Sequence, residues 1–233
     1  MRIYKNCTEA ISEIQRDLFE MGIEVHPQSM QNKIVKDDDS YMTKELQGYS
    51  FMIMNDNDMN EMVGSCLNWC EAEHLERING WDNPSVETTN PGEAYKLRND
   101  VWEQFLVNGK FCYTYNERMQ KQIDACIEEL RRNPDSRQVI VQFHNRDIDQ
   151  DKMGGKSRVP CSMYYQLMIR NGKLDLIYTM RSTDFLTHFK NDIWHAIKFR
   201  NFVANELDLK VGKFIMFAGS LHAYKKDFPE GIY

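Results

Sequence analysis

Apolar positions along the chain recur with two periods. From residue 8 to 21, Ile11, Ile14, Leu18 and Met21 recur at helical spacing, which predicts an amphipathic helix with Thr8 as N-cap and Gly22 as its stop. Met59, Met62, Val63, Cys66, Trp69 and Cys70 repeat the spacing and predict a second helix from Met59 to Ile78, ending at Asn79 and Gly80. A third runs from about Glu117 to Arg132 on Met119, Ile123, Cys126, Ile127 and Leu130. A fourth starts at Asn191 or Asp192 and carries Ile193, Ile197, Val203 and Leu207.

Strand patterns fill the spaces between. After the Asn-Pro-Asp-Ser turn comes the apolar run VIVQF, and residues 163–170 and 173–180 are joined by Asn171-Gly172, the dipeptide of a type I′ hairpin. A last strand is expected at 213–218. The segment Gln28 to Asn57 is mixed, with Asp37, Asp38 and Asp39 reading as a solvated turn between short strands. Residues 82–93, with two Asn-Pro pairs, and residues 145–158 read as polar loops, the first of them placed to border a site. This order of elements predicts an α+β domain, a mixed sheet covered by helices, with residues 1–233 as one domain.

Composition narrows the class. The 233 residues are 42% hydrophobic and 12% aromatic, enough for a real core and too apolar for a disordered tail. At this length the prior lies between one and two domains, and one compact domain with a long insertion is the simpler fit. No apolar run approaches the roughly 18 residues of a membrane span, and MRIYKNCTEA lacks a signal peptide's apolar stretch, so a soluble, cytoplasmic protein is expected. Six cysteines without a C-x-x-C pair then read as reduced thiols. Residues 151–233 carry 13 Lys+Arg against 8 Asp+Glu, whereas the whole chain is −6. That balance disfavours a duplex nucleic-acid binder and suits a small phosphorylated ligand.

Chemistry points to Cys161. Pro160-Cys161 sits where a polar loop enters a strand, a place where reactive groups are presented. A free cysteine is more often a small core hydrophobe. Its company argues for more, since Arg181-Ser182-Thr183-Asp184 puts a hydroxyl beside a guanidinium at a strand end, apt for gripping phosphate and stabilising a thiolate. Asn191-Asp192 and Gly219-Ser220-Leu221-His222-Ala223-Tyr224 follow.

These blocks resemble the thymidylate synthase superfamily, most closely its bacteriophage deoxycytidylate hydroxymethylase branch. The resemblance covers about residues 95–228. Val101-Trp102-Glu103-Gln104-Phe105 with Asn108-Gly109 and Tyr115 looks like I-W-D-E-W, N-G, Y-G. Asn133-Pro134-Asp135-Ser136-Arg137 resembles D-P-D-S-R-R, Pro160-Cys161 the nucleophile, Arg181 to Asp184 R-S-x-D, and Gly219 to Tyr224 G-D-x-H-x-Y. Five blocks in the correct order imply the family's fold. The resemblance also implies a pyrimidine nucleoside monophosphate as substrate, 5,10-methylenetetrahydrofolate as cofactor, and a homodimer in which Arg137 reaches the partner's phosphate site. It gives Arg181 and Ser182 to phosphate, His222 and Tyr224 to the sugar 3′-hydroxyl, and Trp102 and Asp184 to folate. A phage DNA-modification pathway is implied by resemblance only.

The residue types make sense without the family. Carbon 5 of a pyrimidine becomes enamine-like only after a thiolate adds to carbon 6, which is the role of Cys161. Asp192 stands where thymidylate synthases carry the asparagine that pairs with uracil. A carboxylate accepts from the cytosine amino group and from a protonated N3, and it cannot donate to uracil O4, so cytosine is expected. Asp192 reads equally as a helix N-cap.

Several positions depart from the pattern. The family's E-L-x-W helix, whose glutamate organises water for proton transfer, matches Cys66-Leu67-Asn68-Trp69, so Cys66 replaces the carboxylate and predicts altered proton handling. Glu61, Glu71 or Glu73 could substitute in a shifted helix, though the register of Trp69 argues against it. Gln138 replaces a second arginine, Ser162 a histidine, and His188 a glycine. Cys66, Cys70 and His74 share a helix face, but structural zinc ligands are usually spaced more tightly and no fourth is evident, so no metal is expected. The leading expectation is folate-dependent hydroxymethyl or methyl transfer to carbon 5 of deoxycytidylate. A nucleotide-binding homologue with altered catalysis is the alternative. A DNA cytosine-5 methyltransferase is disfavoured by the lack of a glycine-rich cofactor loop.

Overall fold

The computed structural model describes residues 1–79, 92–98, 103–109 and 111–228. In chain order these form β1 (Arg2–Tyr4), α1 (Cys7–Met21), β2 (Ile23–Val25), the small pair β3 (Ser29–Met30) and β4 (Lys33–Ile34), and β5 (Thr43–Ile53). Then come α2 (Met59–Val63), α3 (Leu67–Asn79), α4 (Gly92–Leu97), α5 (Tyr115–Arg132), β6 (Ile140–Gln142) and α6 (Arg146–Asp149). The chain continues as β7 (Ser162–Arg170), β8 (Lys173–Asp184), α7 (Phe189–Glu206) and β9 (Lys210–Tyr224).

Among the described residues seven strands make one mixed sheet, β1-β5-β9-β8-β7-β6, with β2 also on β5. β7 and β8 are the expected hairpin, turning on Asn171 and Gly172 at φ 53° and 67°, the left-handed values a type I′ turn needs. β8 and β9 run parallel, which requires a crossover, and α7 supplies it. Its Ile193, Trp194, Ile197, Phe199 and Val203 are buried against Leu176, Tyr178, Met180, Phe214 and Met216 of one sheet face. On the other face Ile140, Gln166, Ile177 and Ile215 form one cross-strand row, beside which Phe217 is 41% exposed.

Several elements differ from the sequence reading. Asn6, not Thr8, caps α1, its side chain accepting from Glu9 N, while Thr8 bonds Asp58. The second helix is broken at Gly64, where φ 53° and ψ −121° lie in a region open to glycine, and a 3-10 turn Gly64–Cys66 separates α2 from α3. The mixed segment contains β5, an 11-residue strand paired with β9 along most of its length. Residues 145–158 include α6, capped by the Asn145 side chain. The fourth helix begins at Phe189, and Asp192 N already donates to His188 O, so Asp192 lies inside the first turn and is not the N-cap. The last strand extends to Tyr224 and so carries His222 itself. The loop expected at 82–93 lies almost wholly outside the described residues, with Gly92 opening α4.

Candidate active site

A cleft of about 300 Å³ opens where β8 and β9 end and β7 begins. That shared end of two parallel strands is where open sheets hold their ligands. Cys161 lies at its edge. Arg181 N donates to Cys161 O at 2.9 Å, and a β-bulge between Ser162 and Tyr164 bends the strand directly after it.

Three donors surround the thiol. Arg181 Nη2, Ser182 Oγ and Gln31 Nε2 each stand 3.7 Å from Sγ. The guanidinium is fixed by the loop that precedes the cysteine, through Nε to Pro160 O at 2.9 Å and Nη2 to Val159 O at 2.8 Å. Gly219 makes room for this arrangement, because a Cβ there would sit 2.8 Å from Arg181 O. Behind Cys161, Ser162 is buried and shares a hydrogen bond of 2.5 Å with Tyr178 while donating to Tyr115 Oη at 3.3 Å. A cationic, donor-rich edge of this kind suits a bound anion.

The opposite wall is titratable. Asp192 accepts from Thr183 Oγ1 at 2.9 Å, and its carboxyl is pushed up to about 7 by burial, against the pull of the Thr183 hydroxyl. From α3 come Trp69, Glu73 and Arg77, spaced four residues apart on one face, with Arg77 donating to Glu73 at 2.8 Å and stacking over Tyr115 at 4.3 Å. His195, three residues along α7 from Asp192, also lines the cleft.

The thymidylate synthase family profile matches residues 53–231. The chain belongs to the thymidylate synthase family. It is 30% identical over 192 residues to a Methanocaldococcus jannaschii protein whose designation as a thymidylate synthase is itself provisional, covering 69% of this chain and 85% of that one. It is also 30% identical over 152 residues to the deoxycytidylate 5-hydroxymethyltransferase of Enterobacteria phage T4, spanning 59% of this chain and 60% of the phage protein. The solved thermostable thymidylate synthase A of Bacillus subtilis has a TM-score of 0.69 at 18% identity, over 93% of this chain and 79% of that one, which speaks for the fold alone. Family members act on pyrimidine nucleoside monophosphates and generally use 5,10-methylenetetrahydrofolate.

Against the family pattern, the cleft brings together Cys161, Arg181, Ser182, Asp184, Asp192, His222 and Tyr224. Asp184 pairs in register with His222, whose Nδ1 lies 3.1 Å from Ser220 Oγ, and the His222 and Tyr224 rings meet at 5.1 Å. Burial raises the Asp184 carboxyl and lowers the His222 imidazole. Trp102 lies outside the described residues. Arg137 is exposed and does not line its own chain's cleft, its carbonyl accepting from Gln166 Nε2 at 3.0 Å.

Cys66 sits on the 3-10 turn ahead of α3, packs against the core and is absent from the described cleft lining. The break at Gly64 lies just ahead of it, and the carboxylate that α3 places in the cleft lining is Glu73. Cys70 and His74, on the same helix, are buried, Cys70 Sγ bonding Asn191 Oδ1 at 3.6 Å. Gln31, Arg77 and His195 escaped the sequence reading, and Glu73 entered it only as one of three possible substitutes for the family glutamate. The spacing Trp69, Glu73, Arg77 was the one available signal, a single helical face carrying an ion pair.

Proposed function

We propose that the chain transfers a one-carbon unit to carbon 5 of a cytidine monophosphate, deoxycytidylate first, through a Cys161 thiolate added at carbon 6. One observation carries this reading: a thiol ringed by Arg181, Ser182 and Gln31 faces, across one cleft, a carboxyl held near neutrality. Arg181 and Ser182 bind the phosphate beside the thiol. Addition at carbon 6 breaks the ring's conjugation and makes carbon 5 nucleophilic, and expulsion of the thiolate at the end restores the ring.

Asp192 selects the base. Thr183 donates to Oδ2, which leaves Oδ1 to hold the proton. One proton shared between this oxygen and cytosine N3, with a second contact from the amino group, satisfies both partners. Once ionised, the carboxylate opposes uracil O4 with two acceptors face to face. His222 and Tyr224 hold the sugar.

The far end of the cleft suits a reduced folate. Asp184 offers an acceptor for pterin N–H groups, and Phe105 and Tyr113, crossed by the Arg158 guanidinium at 4.5 and 5.5 Å, offer flat rings. His188, burial-lowered to about 4, stands as a neutral side chain where the family pattern has glycine. When bound, the folate supplies the one-carbon unit.

The working unit in this reading is a homodimer. The open row Ile140, Ile177 and Ile215 with Phe217 supplies an apolar sheet face, and Arg137 stands beside it, free to serve the partner's phosphate. Among the described residues no helix is long and apolar enough to cross a membrane, and unpaired thiols suit the reducing cytoplasm.

Mass spectrometry of deoxycytidylate incubated with the protein and 5,10-methylenetetrahydrofolate tests the reading. A hydroxymethyl or methyl product supports it and tells which is formed. Nucleotide binding without product supports a regulatory homologue instead.

A further inference from the structure

His195 is the most enclosed polar group of the cleft. It lies three residues beyond Asp192 on α7, 2% exposed, edge-on to Trp69 at 5.5 Å and Trp194 at 5.4 Å. It nonetheless lines the cleft, and among the described residues neither Nδ1 nor Nε2 has a hydrogen-bond partner. A buried polar atom left alone costs free energy that an apolar side chain of the same size avoids. A leucine would fill this space, so the imidazole answers to something polar inside the cleft.

Its surroundings define what it offers. Burial, Arg77 and His74 all hold the ring neutral, so one nitrogen donates and the other accepts. Glu73 lines the same cleft from α3, anchored by Arg77. Arg77 bears on Asp192 and His195 alike, so the four side chains form one electrostatic cluster. Such a site, bordered by Trp69 and walled by a carboxylate and a neutral imidazole, is built to hold water with the three or so partners a buried water requires.

We propose that His195 is a positioning residue: with Glu73 it holds the water that touches the pyrimidine beside Asp192. Glu73 accepts one hydrogen of that water, and a ring nitrogen of His195 fixes its orientation. The inference rests on the pyrimidine reading of the cleft, and it explains how the site manages with Cys66 turned away.

The test uses the full chain, as parent, His195→Leu and His195→Gln, since glutamine keeps a donor and an acceptor. Turnover of deoxycytidylate, nucleotide KM and thermal midpoint are measured together. In His195→Leu, kcat should fall about ten-fold or more while KM stays within about three-fold and the midpoint is no lower than the parent's. His195→Gln should recover most of the lost kcat. A leucine variant as fast as the parent, or a glutamine variant as slow as the leucine one, would overturn the proposal, as would a fall in both midpoints that accounts for the lost activity. If the parent binds deoxycytidylate but makes no product, the transfer reading fails alone. His195 is then judged by its ring 15N resonances during nucleotide titration, where a shift supports the proposal and none overturns it. A parent that binds no pyrimidine nucleotide overturns both.

Discussion

Thr183 Oγ1 donates to Asp192 Oδ2 at 2.9 Å, so the strand that carries Arg181 and Ser182 also orients the carboxyl on α7. Burial outweighs this bond and holds Asp192 near 7, against an ordinary value of about 3.9. Between about pH 4 and 7 the folded chain therefore keeps a proton that the unfolded chain has released, and stability falls as pH rises through that window. Asp192→Asn should remove this slope. Its thermal midpoint should match the parent's near pH 4 and exceed it near pH 8, and parallel curves for the two proteins would contradict the assignment.

Base choice follows from the same carboxyl. Asp192→Asn can donate to O4 and accept from N3–H, so it should lose deoxycytidylate and gain deoxyuridylate. A mismatched buried pair costs about 1–3 kcal/mol, or roughly 5- to 150-fold in relative affinity. Calorimetric dissociation constants for both nucleotides on both proteins decide the matter. An unchanged ratio would leave Asp192 without a role in recognition.

Cys161→Ser should abolish turnover by about a thousand-fold or more, because a hydroxyl without a strong base adds poorly to carbon 6. Nucleotide affinity should hold within about three-fold, since Arg181 is tied to the Pro160 and Val159 carbonyls and not to the thiol alone. Substantial turnover by the serine variant would remove Cys161 from the chemistry.

Arg137→Ala and Cys161→Ala, each inactive alone, should regain activity when their subunits exchange, because one site of the hybrid then holds both residues. The measurement is turnover after mixing, with exchange followed by mass. Exchange without recovery would show that the sites are not shared.

Position 66 should tolerate change. Cys66→Ala is expected to keep turnover within about three-fold, as the side chain packs against the core away from the cleft. Glu73→Gln, which still accepts from Arg77, should lose about ten-fold or more. A ten-fold loss in Cys66→Ala beside a parent-like Glu73→Gln would return the proton-handling role to position 66.

Local signals determined much of this protein. Met119, Ile123, Cys126, Ile127 and Leu130 fall on one face, and Thr114 with Glu117 closes a capping box, so α5 is written in its own residues. Asn171-Gly172 does the same for the hairpin, since few dipeptides accept two successive positive φ values. The ordered blocks around Cys161, Arg181 and His222 likewise announced the family, and backbone pairing brings them to one sheet end.

Tertiary structure decided the rest. β5 hides behind the polar sequence TKELQGYS, and its strand identity comes from pairing with β9 and β1, not from its own periodicity. A break at Gly64 sets Cys66 on a 3-10 turn packed against the core, a change of direction that helical spacing alone does not register. Asp192 looked like a cap because its neighbours are polar, yet α7 starts at Phe189, whose ring is fully buried. Glu73, Arg77 and His195 come from helices more than a hundred residues apart. Only the packing of α3 against α7 puts their charges and lone pairs around one space, and the cost of burying them is what makes that space chemical.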